Sequence, residues 1–227
     1  MLAPMPRAVR RLVAAASAGG ALALALSGCA GIGQPAPYDS PGINGLVVPT
    51  PTPDPGDFVA TVDNPWFPLE PGAAQVLDVS RDDRVVGSLH TQVVDGTTRV
   101  AGLDATTVRT LLDLGGRAEE VDRLYAQDEA GNVWLVGEDR ADGGWRAGQD
   151  GAEAGLAMPA DPRLGDGWLT CVVPGQPTAS RTIEEQTPTL VQVRDEAGTT
   201  SRSVYEKGVG LVGVSDLDAG WTAAPRS

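Results

Sequence analysis

The 227-residue chain contains little of what most enzyme and metal sites are built from. It has one histidine (His90), one lysine (Lys207) and two cysteines (Cys29 and Cys171), and aromatic residues make up only 4% of it. It shows no nucleophilic serine motif and no metal-ligand spacing, and these absences disfavour the common hydrolase designs. Beyond the N-terminal segment, no stretch approaches the roughly 20 apolar residues of a transmembrane helix. The sequence therefore predicts no cofactor, no metal and no membrane-spanning body.

Positive charge is also scarce. The chain has 30 Asp and Glu residues against 17 Lys and Arg, a formal net charge of -13. A protein that binds nucleic acid needs basic surface to displace counterions from the phosphates. We therefore expect no nucleic-acid partner, and we interpret the acidic excess mainly as a source of solubility.

The first 29 residues have the three-part pattern of an export signal. Three arginines precede an apolar run from Leu12 to Leu26, and small residues follow. The run is too short to span a bilayer. Its end, Leu26-Ser27-Gly28-Cys29, resembles the lipobox of bacterial lipoprotein precursors. The resemblance implies cleavage before Cys29 and attachment of a diacylglycerol to its thiol.

A lipid on Cys29 makes the bilayer the first predicted partner and the extracytoplasmic face of the cell membrane the predicted location. Two acyl chains hold a protein at a membrane that one chain holds only marginally. The alternative is a secretory signal that is cut at an Ala-x-Ala-like site, with Cys29 as a passive residue. If Cys29 is acylated, Cys171 has no disulfide partner, and we interpret it as a small core residue.

Composition divides the chain into three parts. Residues 1–28 are the predicted lipoprotein signal peptide, and residues 29–56 are the anchor cysteine followed by a linker rich in Pro and Gly. This linker carries too little apolar surface to offset the entropy cost of ordering. Residues 57–227 have a length that suits one domain with a sizeable core.

Residues 57–227 have the pattern of an all-β domain. Helical periodicity is nearly absent, and short runs rich in Val, Thr and Leu alternate with Gly, Asp and Pro. Short connections require antiparallel neighbours, so we expect a meander that bends into a half-barrel or closed barrel with little helix. Tight turns are predicted in "RDDRVV", "VVDGTTRV" and "RDEAGTTS". The predicted strands are 74–80, 84–94, 105–114, 117–128, 132–139, 167–173, 179–187, 190–195, 200–207 and 210–216.

A proline-rich segment, "DNPWFPLEPG", precedes the first long strand. Three prolines in ten residues prevent regular ladder bonding. We expect it to lie extended, with Trp66, Phe67 and Leu69 plugging one open end of the sheet.

Residues 124–139, "LYAQDEAGNVWLVGED", predict a hairpin with a two-residue tip at Ala130-Gly131. That tip would pair Tyr125 with Val136 and Gln127 with Trp134. Both faces would be partly apolar, so we expect a central hairpin that is covered on both sides. One face would hold Arg123, Tyr125, Gln127, Trp134, Val136 and Glu138, with Arg123 and Glu138 as an ion pair.

Four segments of the folded part resemble an uncharacterised family of exported bacterial proteins. They are residues 64–72, 125–138, 145–152 and 158–166, which carry motifs such as Tyr-Ala-Gln-Asp, Gly-Asn-Val-Trp and Trp-x-Ala-Gly-x-Asp-Gly. The chain departs from the family pattern after Asp166, where Trp168, Leu169, Thr170 and Cys171 follow. The resemblance implies a shared architecture and assigns no activity.

The segment from Gly143 to Gly167 is the candidate site, because long loops over a rigid sheet often carry function. We expect an aromatic-walled pocket for a small or lipidic ligand, with Tyr125, Trp134, Trp145, Asp150 and Trp168 as binding residues. In the alternative, Trp145 and Met158 close the core and Asp150-Gly151 makes a turn.

Two functions remain open. The first is a membrane-tethered binding or envelope-organising lipoprotein, whose partner is a ligand or an envelope protein. The second is an extracytoplasmic hydrolase that uses carboxylates of the 143–167 segment. The hydrolase requires two carboxylates on one cleft wall, roughly 5–10 Å apart.

Overall fold

A computed structural model describes residues 55–226. The predicted signal peptide, the lipobox with Cys29 and most of the linker lie outside the described residues. The described residues all belong to one compact unit of the chain. None of the helical structure found between residues 55 and 226 is long and apolar enough to cross a membrane.

Fourteen strands make up nearly all the regular structure of this part. Its only helical element is a 3-10 helix of three residues, Pro55–Asp57. The strands are β1 (Phe58–Val59), β2 (Ala74–Arg81), β3 (Arg84–Val100), β4 (Leu103–Leu114), β5 (Arg117–Asp128), β6 (Val133–Arg140), β7 (Gly143–Arg146), β8 (Glu153–Met158), β9 (Gly167–Val172), β10 (Ala179–Gln186), β11 (Leu190–Glu196), β12 (Thr200–Glu206), β13 (Gly210–Asp216) and β14 (Trp221–Pro225).

The strands form one antiparallel sheet that closes on itself. Its order is β1-β5-β4-β3-β2-β14-β13-β12-β11-β10-β9-β8-β6-β7, and β5 also pairs with β6. That extra pairing closes a ring of twelve strands, and the short strands β1 and β7 are additional partners of β5 and β6. The prediction of an all-β, antiparallel meander that curls into a barrel-like sheet is confirmed, and the ring is closed.

Two joints of the ring stand out: one pairs strands that lie far apart along the chain, and the other is very short. The last strand, β14, pairs with β2, for example Ala223 with Val79. The joint between β8 and β9 is short, with only Glu153–Val172 and Ala154–Cys171 in register. The β8–β9 joint is therefore a narrow point in the hydrogen-bonded ladder.

All ten strands expected from the sequence are present, with ends within two residues of the prediction except for β3, which continues six residues further. The strands β1, β7, β8 and β14 were not predicted. The prediction of a tight turn in "VVDGTTRV" is wrong, because β3 runs without interruption from residue 84 to residue 100. The register between β3 and β4 shifts between Val93 and Thr97, and Gly96 has a φ of 83°. Asp95-Gly96 is thus a β-bulge that bends the strand, where a turn was expected.

One end of the ring is covered by the segment Val62–Gly72, which we call the cap segment, and we call this end the cap end. Buried Asn64 donates hydrogen bonds to the carbonyl oxygens of Gly131 (2.8 Å) and Pro159 (3.1 Å). The Phe67 ring lies 5.0 Å from the Tyr125 ring and 5.7 Å from the Tyr205 ring. The plug expected from Trp66, Phe67 and Leu69 is therefore present, since Trp66 is buried and the other two pack on the core.

Candidate binding cavity

The ring of strands encloses a cavity of about 1110 Å³. Phe67 and Leu69 line it at the cap end. Glu119, Arg140 and Glu196 line it at the opposite end, where their side chains are exposed. We call that opposite end the rim. The cavity is at the upper limit of the roughly 300–1,000 Å³ that small-molecule sites span.

Five consecutive strands of the ring, β4, β3, β2, β14 and β13, contribute an uncharged wall. Among the described lining residues, those from these strands are Ala, Gln, Leu, Thr, Val, Gly and Trp. Cross-strand pairing arranges them in rows. Leu89 faces Leu112, Thr91 faces Thr110, and Val93 faces Val108. A polar row of Thr91, Thr110 and the neighbouring Gln75 therefore lies between two apolar rows.

Thr91 differs from the other buried polar side chains in its hydrogen bonding. Its Oγ1 atom is buried and lacks a hydrogen-bond partner, and no other buried side-chain polar atom of residues 55–226 does. A buried hydroxyl without a partner costs about 1–3 kcal/mol. The polar row thus presents an unused hydrogen-bonding group beside the cavity.

Six of the eight charged residues that line the cavity come from other strands and form two groups. In the first group, Arg181 of β10 faces Asp195 of β11, and their Nε and Oδ1 atoms are 2.5 Å apart. The Ser203 hydroxyl donates to Oδ2 of Asp195 (2.8 Å). The Arg181 Nη1 atom donates to the carbonyl oxygen of Ala157 (2.6 Å). Each charge in this group already has partners within the protein.

The second group connects β5 with β6. Glu138 accepts hydrogen bonds from Nε of Arg123 (2.8 Å) and Nε of Arg140 (2.6 Å). Arg140 also pairs with Glu119 at 3.1 Å. Arg123 and Glu138 are the ion pair expected from the sequence. The two arginines and two carboxylates of this group therefore also balance one another within the protein.

Burial shifts the titration of several side chains that face the cavity. It raises the pKa of the Tyr205 hydroxyl to about 12, and it also raises the pKa of Tyr125. Burial, the largest single effect, opposes the charge of Arg181, but the attraction of Asp195 together with that of Tyr205 and Tyr125 outweighs it and raises the pKa of that guanidinium. Burial likewise raises the pKa of the Cys171 thiol, which keeps it protonated near neutral pH.

The five predicted binding residues do not form one pocket. Tyr125 and Trp145 line the cavity, as the sequence suggested. Asp150 lies beside a separate cleft of about 360 Å³, which Trp145 and Arg146 also line. There Asp139 accepts hydrogen bonds from Arg146, and these lower the pKa of its carboxyl. Asp150 has a φ of 51° next to Gly151, so the expected turn is present.

Trp134 and Trp168 line neither cavity, and both are held in place by hydrogen bonds. The indole of Trp134 donates to Oδ2 of Asp128 (2.8 Å), and the indole of Trp168 donates to the carbonyl oxygen of Leu156 (2.8 Å). Both side chains are at most 6% exposed. They are core residues, and the pocket wall expected from them is not formed.

The predicted hairpin register is correct at its base and wrong near its tip. Arg123 faces Glu138 as expected, but Tyr125 faces Leu135, and Ala126 faces Trp134. A bulge between Leu124 and Tyr125 shifts the pairing by one residue, and Tyr125 and Trp134 consequently point to opposite faces. The expectation that both faces of this hairpin are covered is confirmed, because residues 124–128 and 133–137 are all buried.

The segment from Gly143 to Gly167 was expected to be a loop, and this is wrong. It contains β7 and β8, and Met158 and Trp145 are buried in the core. Its acidic residues do not line the large cavity. Asp161 pairs with Arg163, whose backbone NH is also bonded to Asp166 (3.2 Å). Within residues 55–226, no three His, Cys, Asp or Glu side chains are grouped as for a metal ion.

Sequence reasoning missed most of the cavity wall, including Thr91, Thr110, Arg181, Asp195 and Ser203. One signal was present in the sequence. Leu89, Thr91 and Val93 alternate along β3, and Val108, Thr110 and Leu112 repeat the order in reverse along β4. When the two segments pair antiparallel, Leu lies beside Leu, Thr beside Thr and Val beside Val on one face of the sheet.

In comparisons with known proteins, no family model, no curated protein and no solved structure matches the chain.

Proposed function

We propose that the protein is a membrane-tethered extracytoplasmic lipoprotein whose ring of strands is a noncatalytic binding module for a small or lipidic ligand. The observation that supports the binding part is the cavity of about 1110 Å³ inside the closed ring. Small closed rings of strands are usually filled by their own side chains, whereas wider ones enclose ligand sites. Twelve strands make a ring of the wider kind.

The position of β1, at the start of the folded part, supports the same proposal. The strand β1 pairs with Asp128 and Gln127 of β5 at the cap end. The linker therefore joins the domain at the end opposite the rim. This arrangement leaves the exposed rim free for exchange of a ligand with other components of the envelope.

The binding proposal is tested by native mass spectrometry of the full-length protein released from its own host. A noncovalent adduct is expected on the natural protein. Leu112→Trp places an indole in the cavity and should remove the adduct. The control, Val85→Trp, changes a side chain that is 65% exposed on β3 and should keep it. A natural protein without any adduct, or an adduct that Leu112→Trp retains, contradicts the proposal.

The anchoring proposal has a separate test. Cys29→Ala should release the protein into the medium or leave it as uncleaved precursor, because no thiol remains for the lipid. Cys171→Ala is the matched control and should leave membrane retention unchanged. If Cys29→Ala changes neither membrane retention nor electrophoretic mobility, the lipid anchor is contradicted.

A further inference from the structure

We infer that the cavity selects an uncharged amphiphile, with an apolar chain and a head that bears hydroxyl or ester groups. This inference rests on the proposed binding function and specifies its ligand. It derives from the charge balance of the cavity, from the unused hydroxyl of Thr91 and from the order of the rows on the uncharged wall.

The charge balance disfavours an anionic ligand. The cavity is lined by five carboxylates (Glu119, Glu138, Asp142, Asp195 and Glu196) and three arginines (Arg123, Arg140 and Arg181). Each of these arginines is already paired with a carboxylate at 3.1 Å or less. A carboxylate or phosphate on the ligand would have to displace one of those partners, and it would add negative charge to a wall that already has an excess.

A single cationic head finds no strong partner deep in the cavity either. Glu138 and Asp195 are both engaged by arginines. At the rim, Glu196 pairs with Arg194 at 2.9 Å and Glu119 with Arg140 at 3.1 Å. The remaining carboxylate, Asp142, is exposed in the turn between β6 and β7. Neutral hydrogen-bonding groups are more numerous in the interior. Those that line the cavity include Gln75, Thr91, Thr110, Thr170, Ser201 and Ser203.

The rows of the uncharged wall fix where the head and the chain lie. A rotation of the Thr91 side chain toward the cavity lets its Oγ1 donate to or accept from a ligand hydroxyl or ester, which satisfies a group that is buried and without a partner in this structure. The row of Val93 and Val108 continues from it toward Phe67 and Leu69 at the cap end. We assign the head to the polar row and the apolar chain to this path.

The test compares two ligands of equal chain length and different charge, monododecanoylglycerol and dodecanoate. Both are used below their micelle concentrations to displace the uncharged fluorophore 1-N-phenylnaphthylamine from the full-length chain carrying Cys29→Ala, so that its own acyl anchor cannot compete. We expect monododecanoylglycerol to bind at least about 10-fold more tightly, since an unpaired charge in a site without a free counterion is costly. Equal binding, or tighter binding of dodecanoate, overturns the inference.

Thr91→Val separates recognition from structural effects. It should weaken monododecanoylglycerol binding by roughly 3- to 10-fold and raise the unfolding temperature, because it replaces a hydroxyl that has no partner by a methyl group. Fluorophore binding should stay unchanged. The control, Thr98→Val, changes a β3 hydroxyl that bonds to Thr107 and does not line the cavity, and it should not affect either ligand. Unchanged monododecanoylglycerol binding in Thr91→Val overturns the assignment of the head.

The outcomes also distinguish the inference from the proposed function. If the fluorophore binds but monododecanoylglycerol does not displace it, the ligand class is wrong and the binding function stands. If neither the fluorophore nor either dodecanoyl compound binds, both the ligand class and the binding function are overturned.

Discussion

Trp134 and Asp128 are joined by a hydrogen bond of 2.8 Å from the indole Nε1 to Oδ2, across the turn between β5 and β6. The same carboxylate accepts hydrogen bonds from the backbone NH (2.8 Å) and the side-chain amide (3.0 Å) of Asn132. Asp128 is 8% exposed. Asp128 therefore supports the turn between β5 and β6.

Asp128→Ala should lower the free energy of unfolding by about 2–4 kcal/mol, because three hydrogen-bond donors lose a charged acceptor in a buried place. Urea unfolding measures the change. Glu129→Ala alters the exposed neighbour and should change stability by less than about 0.5 kcal/mol. Equal effects of the two substitutions would show that the carboxylate of Asp128 has no special role.

Asn64 holds the cap segment in place, and Asn64→Ala should loosen it. The variant leaves the carbonyl oxygens of Gly131 and Pro159 and the backbone NH of Trp66 without their present partner. We expect a loss of about 2–3 kcal/mol and faster amide exchange in residues 62–72. Glu70→Ala, an exposed change in the same segment, is the control. Unchanged exchange in Asn64→Ala would contradict this role.

Gly155 lies at the narrow joint of the ring. A Cβ atom there would come within 2.4 Å of the carbonyl oxygen of Leu169 on β9. Gly155→Ala should therefore push β8 from β9 and cost about 3 kcal/mol or more. At Gly213, also within a strand, a Cβ atom would meet nothing nearer than 3.5 Å. Gly213→Ala should be tolerated, and similar unfolding midpoints for both variants would contradict the prediction.

Tyr205 provides a prediction for alkaline pH. Its pKa is raised from the ordinary value of 10.0 to about 12 by burial. In the unfolded chain this tyrosine loses its proton near pH 10, whereas the folded protein retains it. Its contribution to stability is therefore complete below pH 10 and is lost as the pH rises toward 12. Urea unfolding between pH 8 and 11.5 should show a steeper loss for the natural protein than for Tyr205→Phe. Equal slopes would contradict the shift.

The sequence predicted where the strands lie, but it predicted much less well which face of the sheet each side chain occupies. Alternation of apolar and polar residues along β3, β4 and β10 to β13 predicted these strands. This two-residue period does not depend on how the sheet later bends or closes. The bulges at Asp95-Gly96 and between Leu124 and Tyr125 were not predicted, since each depends on curvature imposed by neighbouring strands. At the bulge between Leu124 and Tyr125, a single extra residue reverses the direction of the following side chains, and the expected shared wall changed accordingly.

The expected shared wall of Tyr125 and Trp134 is not formed, for the same reason. Tyr125 and Trp134 were placed on one wall by a register that holds only at the base of their hairpin. The polar interior could not be predicted residue by residue, because Arg181 and Thr91 approach the same cavity only through the closure of the ring. That closure depends on the β14–β2 and β5–β6 pairings.

The pairing of β14 with β2 also affects the order of events during synthesis. The ribosome makes β2 about 140 residues before β14, a separation that follows from Val79 and Ala223 being partners. Until β14 is made, one border of β2 keeps its backbone donors and acceptors exposed, and Leu77 and Val79 lack the cover of Trp221. A chain that ends before β14 therefore keeps an unpaired strand edge beside uncovered apolar side chains, which favours aggregation.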